Sequence, residues 1–247
     1  MVDIINISKS FNGNKVLDGL CLKLNDGELL SVIGRSGAGK SVMIKIILGL
    51  INADSGKVVI DDQDITDFSE DEMNEKVRIK MGMVYQYDAL WDSMTIGENL
   101  NLTLKIKKQY SKEEMSYKVK ESLEMVELPG IENKYPEELS GGMEKRIAIA
   151  IARAIILKPK YIIYDEPTTG LDPVLTNTID NLILKLNKEQ NITTLLISHD
   201  IKSAEKVSDR ICMIYKGRII HSCTSNKLWN QDNETFNKFI HGDINFQ

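Results

Sequence analysis

Gly34-Arg35-Ser36-Gly37-Ala38-Gly39-Lys40-Ser41 has the residue types and spacing of a phosphate-binding P-loop. Glycines let the backbone wrap closely, so that its N–H groups point at phosphate oxygens. A helix starting at the end of the loop adds partial positive charge. Lys40 is placed to reach the β- and γ-phosphates of a nucleoside triphosphate, and the Ser41 hydroxyl to ligate Mg²⁺. Further along, Tyr161-Ile162-Ile163-Tyr164 delivers Asp165 and Glu166. Two carboxylates at the carboxyl end of a buried strand lie where open α/β sheets bind ligands. Asp165 is expected to hold the metal, directly or through water, and Glu166 to polarise a water for attack on the γ-phosphate. A third element, Ser140-Gly141-Gly142 ahead of a helical run, is a second anion-binding nest.

These groups need elements to carry them. Leu29 to Ile33 reads as a strand ending at the glycines, and Lys40 to Leu48 as a buried helix. Lys57 to Ile60, Met81 to Tyr85, Tyr161 to Tyr164, Thr193 to Ile197 and Arg210 to Tyr215 read as further short strands. The near-continuous apolar runs among them suit a parallel sheet covered on both faces. Lys216-Gly217-Arg218 reads as a hairpin turn. From Glu98 to Leu157 the pattern turns helical. Ser111 with Glu114 forms a capping box, and Pro129-Gly130 marks the end of that helix. This segment reads as a helical subdomain inserted into an α/β core. Thr224 to Gln247 reads as a short helical tail.

Composition bounds the answer. The chain has 247 residues, 42% hydrophobic and 27% charged, an ordinary globular balance. A net charge of -5 argues against binding nucleic acid by phosphate neutralisation. No run reaches the roughly 18 apolar residues of a membrane helix. The start of the chain lacks the basic-then-apolar pattern of a signal peptide. Cys21, Cys212 and Cys223 are odd in number and form no C-x-x-C pair, which favours small buried hydrophobes in a reducing cytosol over a disulfide or zinc framework.

The order of the P-loop, Gln86, Leu139-Ser140-Gly141-Gly142-Met143, Asp165-Glu166, Gly170-Leu171-Asp172 and His199 resembles the nucleotide-binding subunit of ABC transporters from about Val2 to Cys223. The resemblance implies a P-loop NTPase (RecA-like) α/β core with an antiparallel β subdomain and an inserted α-helical subdomain at about 88–157, followed by a tail at 224–247. It implies ATP and Mg²⁺ as ligands. Phe11 stacks on adenine, and Gly34 to Ser41 hold the phosphates. Ser41, Gln86 and Asp165 serve the metal. Glu166, His199 and Gln86 serve catalysis. Ser140, Gly141 and Gly142 contact the nucleotide of a second copy in a head-to-tail dimer.

One departure stands out: Met143 occupies a position where the family usually has glutamine, so the hydrogen bonds of that amide are missing. The runs Leu139 to Arg146 and Asp88 to Thr95 resemble the Mla-type subgroup, which serves phospholipid transport between bacterial membranes with a permease and an Mce-domain substrate-binding protein. In that subgroup the tail can reach across to the other subunit, and the resemblance extends that expectation to Thr224 to Gln247. The implied location is the cytoplasmic face of the inner membrane, with no nucleic-acid partner. Leu90 and Trp91 are either the apolar part of a permease-docking groove or buried in the helical subdomain. Two other readings stay open: a soluble ABC ATPase uncoupled from membranes, and a small P-loop kinase or GTPase, which lacks the Ser-Gly-Gly and switch histidine in this order.

Overall fold

The computed structural model describes residues 1–85, 90–106, 109–139 and 142–243. Among them two sheets form. The larger is six-stranded, in the order β10-β9-β3-β8-β7-β6. Its parallel strands are β3 (Leu29–Ile33), β6 (Met81–Val84), β7 (Tyr161–Asp165), β8 (Thr193–Ser198) and β9 (Arg210–Tyr215). β10 (Arg218–Thr224) returns antiparallel to β9 through the expected hairpin. The smaller sheet is antiparallel, in the order β2-β1-β4-β5, from β1 (Val2–Phe11), β2 (Asn14–Leu24), β4 (Ser55–Ile60) and β5 (Gln63–Asp64).

The apolar runs of the parallel strands follow from burial on both faces. In β7, Tyr161 and Ile163 join the core that holds the small sheet and α1 (Lys40–Ile47), while Ile162 and Tyr164 join the core on the other side. This is the period-two alternation of a strand with both faces covered. The second core also contains α3 (Ile96–Ile106), α4 (Lys112–Met125), α5 (Gly142–Ile155) and α6 (Pro173–Gln190), so the helical segment shares its apolar interior with the sheet. Between the sheets and this segment, α2 (Glu70–Glu72) opens with a Ser69 capping box and runs on into a π turn, Met73–Val77.

The Ser111 capping box stands as read, since its side chain accepts from the Glu114 N–H while Glu114 reaches back. The end of α4 does not. The helix stops at Met125, before Pro129. Glu127 is left-handed, with φ 62°, and the Leu128 N–H bonds the Leu123 carbonyl at 2.9 Å. That Schellman closure ends the helix without needing proline.

The tail is helical, as expected. After α7 (Ile201–Val207), β9 and β10, the chain forms α8 (Glu234–Ile240), and Leu228, Phe236 and Ile240 bury themselves against Ile33, Ile211 and Met213 of the same chain. Through Asp243 the tail packs on its own chain, its apolar side chains covering the open side of β9 and β10. Cys212 and Cys223 are buried as expected; Cys21 is exposed, because its position in β2 faces outward.

Candidate functional site

β3, β8 and β7 are neighbours, so the loops leaving their carboxyl ends converge. The P-loop leaves β3. Two of its glycines are required by close approach. A Cβ on Gly34 would stand 2.5 Å from the Ile214 carbonyl oxygen, and one on Gly39 2.6 Å from Leu17 Cδ2. Gly39 also has φ 107°, a conformation L side chains rarely adopt, and it caps α1. The loop is therefore clamped between β9 and β2. Lys40 opens α1 and is buried, with Nζ donating to the carbonyls of Gly34 at 2.6 Å and Arg35 at 3.1 Å. Ser41 is exposed beside it.

β7 ends in Asp165, and the Glu166 N–H continues the ladder by donating to the Ile197 carbonyl of β8 at 3.0 Å. Glu166 is left-handed, with φ 51°. Few non-glycine residues adopt that conformation, and it turns the chain sharply as it leaves the strand. Its Oε1 lies 3.5 Å from Lys40 Nζ. Its Oε2 lies 3.0 Å from His199 Nδ1. His199 follows β8 and precedes Asp200, which caps α7 by accepting from the Lys202 and Ser203 N–H groups. Burial, reinforced by the neighbouring Glu166, pushes the Asp165 carboxyl above the usual carboxylate range, partly opposed by Lys40 and Lys45.

A cleft of about 470 Å³ is bordered by Ser36, Gly37, Gly39, Lys40, Ser41 and Glu166. A buried ammonium, a hydroxyl, backbone N–H groups at a helix start and nearby carboxylates form a donor set that fits a nucleotide phosphate chain with its metal. No cluster of three or more His, Cys, Asp or Glu side chains suited to a metal occurs among the described residues. The Ser41 hydroxyl and the Asp165 carboxylate are oxygen donors of the kind that would hold Mg²⁺ together with a phosphate. Val16 of β2 also borders the cleft. The same β1–β2 hairpin carries Phe11, half-exposed and paired with Asn14, with Lys9 Nζ 5.5 Å from its ring.

The structure thus brings Lys40, Glu166 and His199 into contact, with Asp165 and Ser41 alongside. Gly142 and Met143 do not border the cleft. The space beside Gly142 is open, and Met143 is 53% exposed. Gln86, Ser140 and Gly141 lie outside the described residues. Leu90 and Trp91 part company. Leu90 packs on the core, while Trp91 is 59% exposed, so burial in the helical subdomain holds for Leu90 and not for Trp91. Three contributors carried no signal in the sequence. Val16 borders the cleft. The Thr169 hydroxyl donates to Glu166 Oε2 at 3.3 Å. Asn99, fully buried, bonds both the N–H and the carbonyl of Trp91.

The sequence pattern that defines the ABC transporter family matches residues 17–169. The chain belongs to this family. It is 37% identical over 244 residues to the Fe(3+) ions import ATP-binding protein FbpC of Photorhabdus laumondii, covering 99% of this chain and 67% of that protein. It is 39% identical over 217 residues to the methionine import ATP-binding protein MetN of Clostridium tetani, covering 87% of this chain and 66% of that protein. Among solved structures, the dimeric post-hydrolysis state of the ATP-binding cassette MJ0796, bound to ADP and Pi, superposes with a TM-score of 0.80 at 33% identity. That match covers 91% of this chain and 99% of that one. The fold is the ABC ATPase fold, and the chain is an ATPase whose ligands are ATP and Mg²⁺.

Proposed function

We propose that this ABC ATPase dimerises head-to-tail on ATP and drives a separate membrane permease. Lys40 and the P-loop N–H groups bind the β- and γ-phosphates, while Ser41, Asp165 and Gln86 hold Mg²⁺, which neutralises charge developing on the phosphates. Glu166 orients the attacking water, and His199, hydrogen-bonded to Glu166, faces the γ-phosphate. Phe11 stacks on adenine. Ser140, Gly141 and Gly142 complete the site of the other copy. Residues 1–223 form the ATP-binding unit, with 88–157 as its helical arm and 224–247 as its tail.

The observation that carries this reading is the contact of Glu166 with both Lys40 and His199, which joins three strand ends at one cleft. The dimeric state of MJ0796 supports the sandwich. No helix among the described residues is long and apolar enough to cross a membrane, and a permease supplies that passage in this reading. Tyr87 to Met94 is its docking region, with Trp91 the exposed apolar contact, on the cytoplasmic face of the inner membrane.

For the cargo we favour phospholipid, with an Mce-domain protein as a further partner, on the strength of the Leu139–Arg146 and Asp88–Thr95 runs. The names of FbpC and MetN favour a second reading, import of iron or methionine. Purifying the chain from membranes in mild detergent and identifying its companions by mass spectrometry separates the two. An Mce-domain protein and bound phospholipid support the first, and a permease with a solute-binding protein supports the second. Within the ATPase cycle, Glu166→Gln is expected to bind ATP and turn over at least ~100-fold more slowly, since water positioning is a main catalytic contribution. Near-normal phosphate release from that variant would remove Glu166 from the role.

A further inference from the structure

We infer that Thr169 is a positioning residue for hydrolysis, its hydroxyl holding the Glu166 carboxylate in the orientation that faces the phosphate cleft. The inference rests on the reading of Glu166 as the group that orients the attacking water.

The carboxylate needs an external hold. Glu166 leaves β7 in the left-handed region, so the strand no longer dictates where its side chain points. Its two oxygens have separate surroundings. Oε1 faces Lys40 Nζ at 3.5 Å. Oε2 receives His199 Nδ1 at 3.0 Å and the Thr169 hydroxyl at 3.3 Å. These three contacts differ in what nucleotide does to them. Lys40 exchanges the carboxylate for phosphate when ATP binds. His199 is 56% exposed on the loop before α7, and in the proposed reading it exchanges Glu166 for the γ-phosphate.

Thr169 belongs to the same turn as Glu166 and does not border the phosphate cleft. Its N–H bonds back to the Glu166 carbonyl at 3.3 Å, and Pro167 follows Glu166 with its fixed φ. The turn is anchored downstream as well. The Leu171 N–H bonds the Thr168 carbonyl at 3.1 Å, and the Asp172 side chain caps α6 through the Val174 and Leu175 N–H groups. A half-buried, β-branched threonine with restricted χ1 keeps its hydroxyl on Oε2 throughout the cycle. The bond leaves Oε1 free to accept from water once Lys40 has turned to phosphate.

The test compares Thr169→Val, which keeps the shape and removes the donor, with Thr169→Ser, which keeps the donor. In the full-length chain, Thr169→Val is expected to lower kcat for ATP by about threefold to tenfold, the range for losing one hydrogen bond. KM for ATP stays within about twofold, and Thr169→Ser recovers most of the rate. On a Glu166→Ala background, adding Thr169→Val has no further effect, because the group it holds is gone. If the valine chain does not fold, Thr169→Ala against Thr169→Ser carries the same comparison.

A wild-type rate for Thr169→Val beside a crippled Glu166→Ala overturns the role of Thr169 and leaves that of Glu166 intact. A near-normal rate for Glu166→Ala overturns the reading beneath it. Weakened ATP binding in both Thr169→Val and Thr169→Ser, or an undiminished valine effect on the Glu166→Ala background, also overturns the inference, since the side chain then acts elsewhere.

Discussion

Around Lys40 the chain meets itself. The ammonium bonds P-loop carbonyls and faces Glu166, which in turn meets His199 and Thr169. At the start of α5 it does not. Nothing lies within 4 Å of a Cβ built on Gly142, Met143 is 53% exposed, and Val174 at the start of α6 is 74% exposed. One region is preorganised within the chain; at the other, the described residues Gly142 and Met143 face open space. The difference fits the proposal that one chain builds the phosphate half of the site and a second copy supplies the rest. Closure on a ligand is then a population shift between separate and joined copies.

The largest test of this contrast is Lys40→Ala. It removes the buried Lys40 ammonium from the cleft and is expected to abolish tight ATP binding, by ~100-fold or more, in calorimetry. Normal affinity would mean that the preorganised half is not where phosphate binds. Ser140→Arg addresses the other half. ATP affinity of the isolated chain stays within about twofold, while turnover falls on the order of tenfold or more because the partner's site is blocked. Mixing Ser140→Arg with Lys40→Ala chains sharpens the comparison. A mixed head-to-tail pair has one site with both defects and one with neither, so the mixture gains activity that neither variant has alone. No gain on mixing argues that each chain works by itself.

Asn99→Ala probes how the outward side keeps its shape. Fully buried Asn99 ties the Trp91 turn through its side-chain oxygen and nitrogen, and Arg146 of α5 pairs with Asp92 of the same turn at 2.9 Å. Leaving those backbone groups unpaired costs about 1–3 kcal/mol, read as a lower denaturation midpoint. Unchanged stability would show that the turn is held otherwise.

The smallest effect is expected from Asp165→Asn on stability without nucleotide. Burial and Glu166 raise the Asp165 carboxyl, so its charged form is disfavoured in the folded chain. That penalty is present above the raised folded-state value and vanishes below the ordinary carboxylate value. Asp165→Asn is therefore expected to raise the melting temperature at neutral pH, with the gain fading as pH falls through the carboxylate range. The same variant loses Mg²⁺-dependent hydrolysis. A lowered melting temperature at neutral pH would contradict the burial argument.

How much of this was legible in the sequence depended on how local the cause is. The P-loop was legible because its glycines, its strand and its helix are contiguous. β1 and β2 were not read as strands. Their pairing slips between Ile4 and Ile7 and again between Ile7 and Lys9, and Asn6 takes φ 55°, so the period-two pattern breaks. The sheet forms all the same because Ile4, Ile7, Leu20 and Leu22 find a common core. α6 carried its own start signals, Asp172 as cap and Pro173 at the first turn, and went unread because its apolar positions are spread among polar ones. The end of α4 was assigned to Pro129, whereas hydrogen bonds around Glu127 decide it.

By itself the sequence determined which groups can do chemistry: the P-loop lysine and serine, the two carboxylates after a buried strand, the histidine after another, and a second glycine-rich nest. It could do so because glycine freedom, charge and strand or helix periodicity act over neighbouring residues. Only the tertiary structure decided which of them meet. Sheet order places β3 beside β8 and β8 beside β7, and this brings Lys40, Glu166 and His199 together from distant parts of the chain. The same packing turns the tail back onto β9 and β10 and leaves Met143 and Val174 facing outward. Those outcomes follow from which apolar faces cover one another, a non-local property that no single stretch of sequence contains.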